Sequence, residues 1–156
     1  MKKLKKLGLV ILVAMLLVTF AGCDKEVTTK YTVEEIGQGV LEKMELDDII
    51  QLDDEKFEYF YNTPVDDVEA YYAVVINDNV KVDEVVIIQA KEGKADSVKE
   101  GLKKHLDSQK ESFKDYLPEE YERLEGAKLV QQGNYIMFCV GNNIKDAVKE
   151  FNQSFE

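Results

Sequence analysis

The stretch KEGKADSVKEGLKKHLDSQKESFKDYL, residues 91–117, constrains the fold more than any other part of the chain. Val98, Leu102, Leu106, Gln109, Phe113 and Leu117 recur along one stripe, with lysine, glutamate and other polar residues at most of the positions between them. That spacing predicts a helix over 94–117 with one face committed to a core. At ~1.5 Å per residue such a helix exceeds ~30 Å, enough to cross a four-stranded sheet. Ser97-Val98-Lys99-Glu100 offers a capping box in its first turns. Pro118 stops it and opens a one- or two-turn helix through Leu124, with Gly126 as the cap.

Both flanks of this helix read as hairpins. AYYAVVI (70–76) and EVVIIQA (84–90) are β-branched and aromatic, and Asn77-Asp78-Asn79 supplies turn residues between them. AKLVQQ (127–132) and YIMFCV (135–140) are separated by Gly133-Asn134, a two-residue loop suited to a type II′ or I′ turn. Asn142-Asn143 can then cap a last helix carrying Ile144, Val148 and Phe151. Ahead of the first hairpin, Thr32-Val33-Glu34-Glu35 is a capping-box signature, and Ile36, Val40 and Met44 predict a helix over 33–44. Asp53-Asp54-Glu55 begins a shorter helical pattern with Phe57, Phe60 and Tyr61 on one face. Asn62-Thr63-Pro64 ends it, because the residue before proline avoids the helical region.

From Ala70 onward the order is therefore β-β-α-β-β-α. The fold class is α+β: a four-stranded antiparallel sheet packed by helices on one side, with one or two extra N-terminal helices expected to close the other.

The N-terminus has a different character. MKKLKK carries four lysines, and the 17 residues from Leu7 to Cys23 carry no charge. A spanning helix usually needs ~20 apolar residues. Here the run stops at Cys23 and is followed by Asp24-Lys25-Glu26 instead of a basic or aromatic flank. A basic start, an apolar middle and a small-residue exit at Ala21-Gly22 form the layout of a secretory signal peptide. Phe20-Ala21-Gly22-Cys23 resembles the lipobox of bacterial lipoproteins, although Phe20 replaces the usual leucine. The resemblance implies cleavage before Cys23 and lipidation of its thiol; a retained anchor and simple secretion are the weaker alternatives. The expected division is a signal peptide over 1–22, lipidated Cys23 with a polar tether over 23–31, and one α+β domain over 32–156. The seven residues 24–30 reach ~23 Å when extended, so the domain is expected to stay close to the outer, extracytoplasmic face of the cell membrane.

Charge narrows the partners. The chain has a formal charge of -11, and loss of the four N-terminal lysines takes it to -15. Such a body is repelled by anionic lipid and by nucleic acid, and suits a basic partner. With Cys23 consumed by lipid, Cys139 has no partner for an internal disulfide, so the fold must rest on its hydrophobic core.

The pieces of KEGKA, QKESF, YLPEE and GNY within residues 91–141 resemble a family of small lipoproteins from Gram-positive bacteria known as a domain of unknown function. The resemblance runs from Thr32 to Phe155 and implies a lipoprotein address and an α+β fold, and no activity. It places arginine in relatives where this chain has His105, which argues against a shared catalytic role for that histidine.

The residues themselves offer little chemistry. His105 is the only histidine, expected at the boundary of the helix stripe. As a general base it would need Ser108 or Cys139 within ~3 Å. Ser108 points outward on the same helix, and Cys139 lies in a strand expected beneath it. One histidine and one free cysteine are too few soft ligands for zinc. Asp47-Asp48, Asp53-Asp54-Glu55 and Asp66-Asp67 could give oxygens to calcium, but none follows the alternating loop pattern. Tyr59-Phe60-Tyr61 with Tyr71-Tyr72 could form a stacking surface, and packing is the simpler account. No dinucleotide, P-loop or nucleophile-elbow motif occurs.

No catalytic residue, metal or cofactor is expected. The chain reads as a non-enzymatic, lipid-anchored binding module held to the membrane through Cys23, with a basic envelope protein as partner. A carboxylate-dependent hydrolase of wall or peptide substrates, or a carrier of small molecules or cations, is the alternative.

Overall fold

A computed structural model describes residues 27–156; the expected signal peptide over 1–22, with Phe20, and the expected lipidation site Cys23 lie outside them. The described residues form five α-helices, a 3-10 turn at Val65–Asp67 and five strands. Thr32 caps α1 (Val33–Met44) as its sequence implies: the Glu35 amide donates to the Thr32 hydroxyl, and the Thr32 amide donates back to the Glu35 carboxylate. Asp53 likewise caps α2 (Asp54–Tyr61) by accepting from the Lys56 amide.

The hairpins form as β2 (Val68–Ile76) with β3 (Glu84–Ala90), and β4 (Lys128–Gln132) with β5 (Tyr135–Val140). Gly133 has φ 59° and Asn134 does not share the positive sign, the pattern of a type II′ turn. β3 pairs with β5 antiparallel, Ile87 opposite Met137.

The sheet has five strands, not four. β1 (Ile49–Gln51) pairs antiparallel with β2, giving the order β1-β2-β3-β5-β4. Three residues are too short to show a period of two, and pairing to the β2 edge alone defines them as a strand.

The helices also differ from expectation. α3 (Ala95–Phe113) ends before the expected Leu117 in a turn that leads to Pro118, the first residue of α4 (Pro118–Glu125). It starts ahead of Ser97, without a side-chain cap, so the Ser97–Glu100 box goes unused. The last helix, α5 (Ile144–Gln153), does not join α3. α2, α3 and α4 cover one face, where Phe57, Tyr61, Leu102 and Leu124 pack on Val86, Ile88, Ile136 and Phe138. α1 and α5 cover the other, where Ile36, Val40 and Phe151 pack on Val85, Ile87, Met137 and Cys139.

The result is three layers. Burial of β3 and β5 on both faces explains their apolar residues on both parities. α1 approaches the sheet closely at Gly37, where a Cβ would stand 2.1 Å from Tyr72 Cδ1.

Candidate functional site

Even-numbered residues of β3 point toward the α2–α3–α4 layer. Val86, Ile88 and Ala90 give that layer apolar contacts, and Glu84 gives it a carboxylate at the same parity. Glu84 is 2 % exposed. His105 of α3, 5 % exposed, places its Nε2 2.9 Å from Glu84 Oε1 and 3.1 Å from Oε2. The Tyr61 hydroxyl, from the last turn of α2, donates to Glu84 Oε2 at 2.8 Å. Three elements distant in sequence therefore converge on one carboxylate.

Aromatic rings close the cluster. The Tyr61 ring meets the imidazole edge-on with centroids 4.8 Å apart, and Phe138 meets it from the sheet at 5.9 Å. Burial acts to lower the imidazole pKa. The Glu84 charge, its hydrogen bond and a backbone hydrogen bond to Phe60 outweigh that, so His105 is raised above its ordinary value of 6.5. Burial, reinforced by the Glu84 charge, holds the Tyr61 phenol well above its usual range. Tyr61 thus stays a neutral donor, and the Glu84 carboxylate favours the protonated form of the imidazole beside it.

Glu84 was not among the residues singled out from the sequence, and Tyr61 was considered there only for packing or a stacking surface. The available signal is an acid at a core parity of a strand otherwise made of Val, Ile and Ala. The boundary position expected for His105 is corrected: the flank of its helix stripe is covered by α2 and β5, because Gly101 lets the α2 end approach. A Cβ there would lie 2.5 Å from the Tyr61 carbonyl.

The other sequence candidates separate. Cys139 is buried, but its side chain faces the α1–α5 layer, so the sheet itself stands between it and His105. Burial pushes its thiol up to about 12. Ser108 lies exposed on α3, one turn from His105, and its carbonyl accepts from Ser112. The aromatic run disperses as well: Tyr61 is in the core, Tyr72 packs on the opposite face, Tyr71 stacks on Phe57 at 4.0 Å, and Tyr59 stays exposed.

The acidic pairs have local roles. Asp53 caps α2, Asp54 accepts from the Tyr71 hydroxyl, and Asp67 pairs with Lys94 at 2.8 Å. Among the described residues no three of His, Cys, Asp and Glu gather in a metal-holding arrangement.

A second charged group ties the β2–β3 loop to α4. Glu120 accepts from Lys81 Nζ at 3.0 Å and from the Val82 amide at 3.1 Å, while Arg123 pairs with Asp83. Burial raises the Asp83 pKa against the opposing pull of Arg123. At the other end of the sheet, an open depression of about 1130 Å³ is lined by Thr29, Gln89, Lys91, Gln131, Asn134 and Tyr135, among others.

Residues 42–141 match the family model described as Domain of unknown function (DUF4358). The chain belongs to that family. The DUF4358 match takes in the whole sheet with α2, α3 and α4, and with them Tyr61, Glu84 and His105. It stops short of α5 and includes only the end of α1, the two helices that cover the Cys139 face. Neither the curated proteins nor the solved structures yield a match. No helix of the described residues is long and apolar enough to cross a membrane.

Proposed function

We propose that this DUF4358 protein is a lipid-anchored module on the extracytoplasmic face of the cell membrane, held through Cys23, that binds a basic envelope protein and carries no catalytic centre of its own. One observation carries the non-catalytic part. The single imidazole is enclosed with Glu84 and Tyr61, and the free thiol of Cys139 lies in a different layer. Nucleophile and base must lie within hydrogen-bond reach of each other and of substrate; here they meet neither condition.

The rival reading, carboxylate-dependent hydrolysis, needs two acids open to a cleft with separated pKa values. Asp83, Glu84 and Glu120 are buried, and each is engaged by a cation: Arg123, His105 and Lys81 respectively. Such pairing suits the holding of elements together better than proton transfer to substrate. The apolar run ending in Cys23 and the acidic composition support the anchor and the basic partner.

The test is affinity capture of the native protein from detergent-solubilised membranes. A partner enriched at low ionic strength and released by salt is the expected result. Recovery of nothing above background, or turnover of wall fragments or peptides by the purified protein, would overturn the reading.

A further inference from the structure

The first described residues do not leave the fold at an arbitrary place. Val27 lies against the β4–β5 turn, so close that a Cβ on Gly133 would stand 2.9 Å from its own Cβ. Thr29 Oγ1 donates to the Ser154 carbonyl, just after α5, at 2.5 Å. Thr32 then caps α1. The chain is thus fixed to one end of the sheet, the end that also carries residues 91–94 and the start of α3, where the depression lined by Lys91, Asn134 and Ala95 opens.

Only Asp24, Lys25 and Glu26 separate Val27 from Cys23. Their covalent reach is at most ~13 Å at ~3.3 Å per residue. α3 runs from this end toward the other for ~28 Å, which puts Tyr116, exposed beyond its last turn, out of that reach. Electrostatics favours the same pose. Lying on a side would press a helical layer onto anionic headgroups, either α2 with exposed Asp54, Glu55 and Glu58 or α1 with exposed Glu34 and Glu42.

We infer that the protein stands end-on to the bilayer, turning residues 91–94, the Gly133-Asn134 turn and its C-terminal residues toward the lipid headgroups, and holding the β2–β3 loop and the α3–α4 junction away from them. This rests on the lipid anchor at Cys23 proposed above. The lipid-facing contact is with the headgroup layer itself, and the opposite end is the one left open to other envelope molecules.

The chain has no tryptophan, so a single introduced indole reports its own depth. Glu92→Trp and Tyr116→Trp, both at exposed positions of opposite ends, are made in the full chain. Each is purified in its native lipidated form and placed in phosphatidylcholine–phosphatidylglycerol vesicles carrying nitroxide-headgroup lipid. Emission of Glu92→Trp should fall on adding the quencher lipid, and that of Tyr116→Trp should not change. Equal quenching of the two, or quenching of Tyr116→Trp alone, overturns the orientation. Intact mass of the same preparations reads the anchor separately. If Cys23 proves unmodified, the anchoring proposal fails on its own. Coupling the Cys23 thiol to a maleimide-headgroup lipid then repeats the depth measurement, with buried Cys139 left unlabelled, and the same pair of outcomes decides it.

Discussion

Glu84 of β3 and His105 of α3 form a salt bridge at 2.9 Å inside the layer that joins the sheet to α2 and α3. The Glu84 charge and hydrogen bond raise the His105 imidazole above its ordinary pKa, and the pair links β3 directly to α3. The pair favours one register of α3 on the sheet, because a slip of one residue would take the imidazole away from the buried Glu84 carboxylate and leave it with Tyr61 alone.

Stability should depend on pH through this pair. The folded imidazole is raised above 6.5, so its contribution is complete below the unfolded value of about 6.5 and disappears as pH rises through the folded one. Urea midpoints should therefore fall between pH 6 and the upper end of that window. In His105→Gln this component of the slope should vanish. A slope identical in both proteins would refute the assignment, and the single histidine allows direct titration by NMR.

Removing one member of the pair should cost more than removing both. Glu84→Ala leaves His105 in the core without its counter-charge and is expected to destabilise by about 3–5 kcal/mol. Glu84→Leu with His105→Leu replaces both by apolar groups and should recover much of that loss. Chemical denaturation of Glu84→Leu, His105→Leu and the double variant measures the coupling.

Tyr61→Phe removes the donor to Glu84 Oε2 while keeping the ring against the imidazole. The expected loss is about 1.5–3 kcal/mol, the range for a hydrogen bond to a charged group. A change near zero would mean that another donor takes its place.

Gly37→Ala tests the other layer. The added methyl would collide with the Tyr72 ring, so α1 must move outward or the ring must rotate. Overpacking of this kind costs about 1–3 kcal/mol, read as a lower thermal midpoint. Tyr72→Ala in the Gly37→Ala background should not add its full single-variant cost if the clash is the cause.

Cys139 should be silent toward alkylation in the folded protein. Its thiol is fully buried and pushed up to about 12, so at pH 8 almost none is thiolate. Peptide mapping after iodoacetamide treatment should find it unmodified until denaturant is added. Rapid labelling under native conditions would show that the α1–α5 layer opens.

Much of the architecture is written in local pattern. The Thr32 capping box, the 3.6-residue stripe of α3, the Gly133-Asn134 turn and the proline at the head of α4 each act over a few residues. Each appears where the pattern places it, except that α3 stops at Phe113, a turn short of Leu117. The cleavage and lipidation proposed at Cys23 rest on local signals too, and the vesicle and mass measurements test them.

What tertiary structure alone decided is which face each element covers. Amphipathic stripes state that α3 and α5 have an apolar side, but both faces of β3 and β5 are apolar, so nothing local assigns one helix to one face. That assignment separates Cys139 from His105. It also brings Tyr61, Glu84 and His105 together across 23 and 21 residues of chain. β1 exists only because β2 has a free edge for it. Sequence fixes periods and caps because those are short-range steric and hydrogen-bonding choices. Partners across layers follow from packing the whole set, where the energy of one contact depends on where all the others lie.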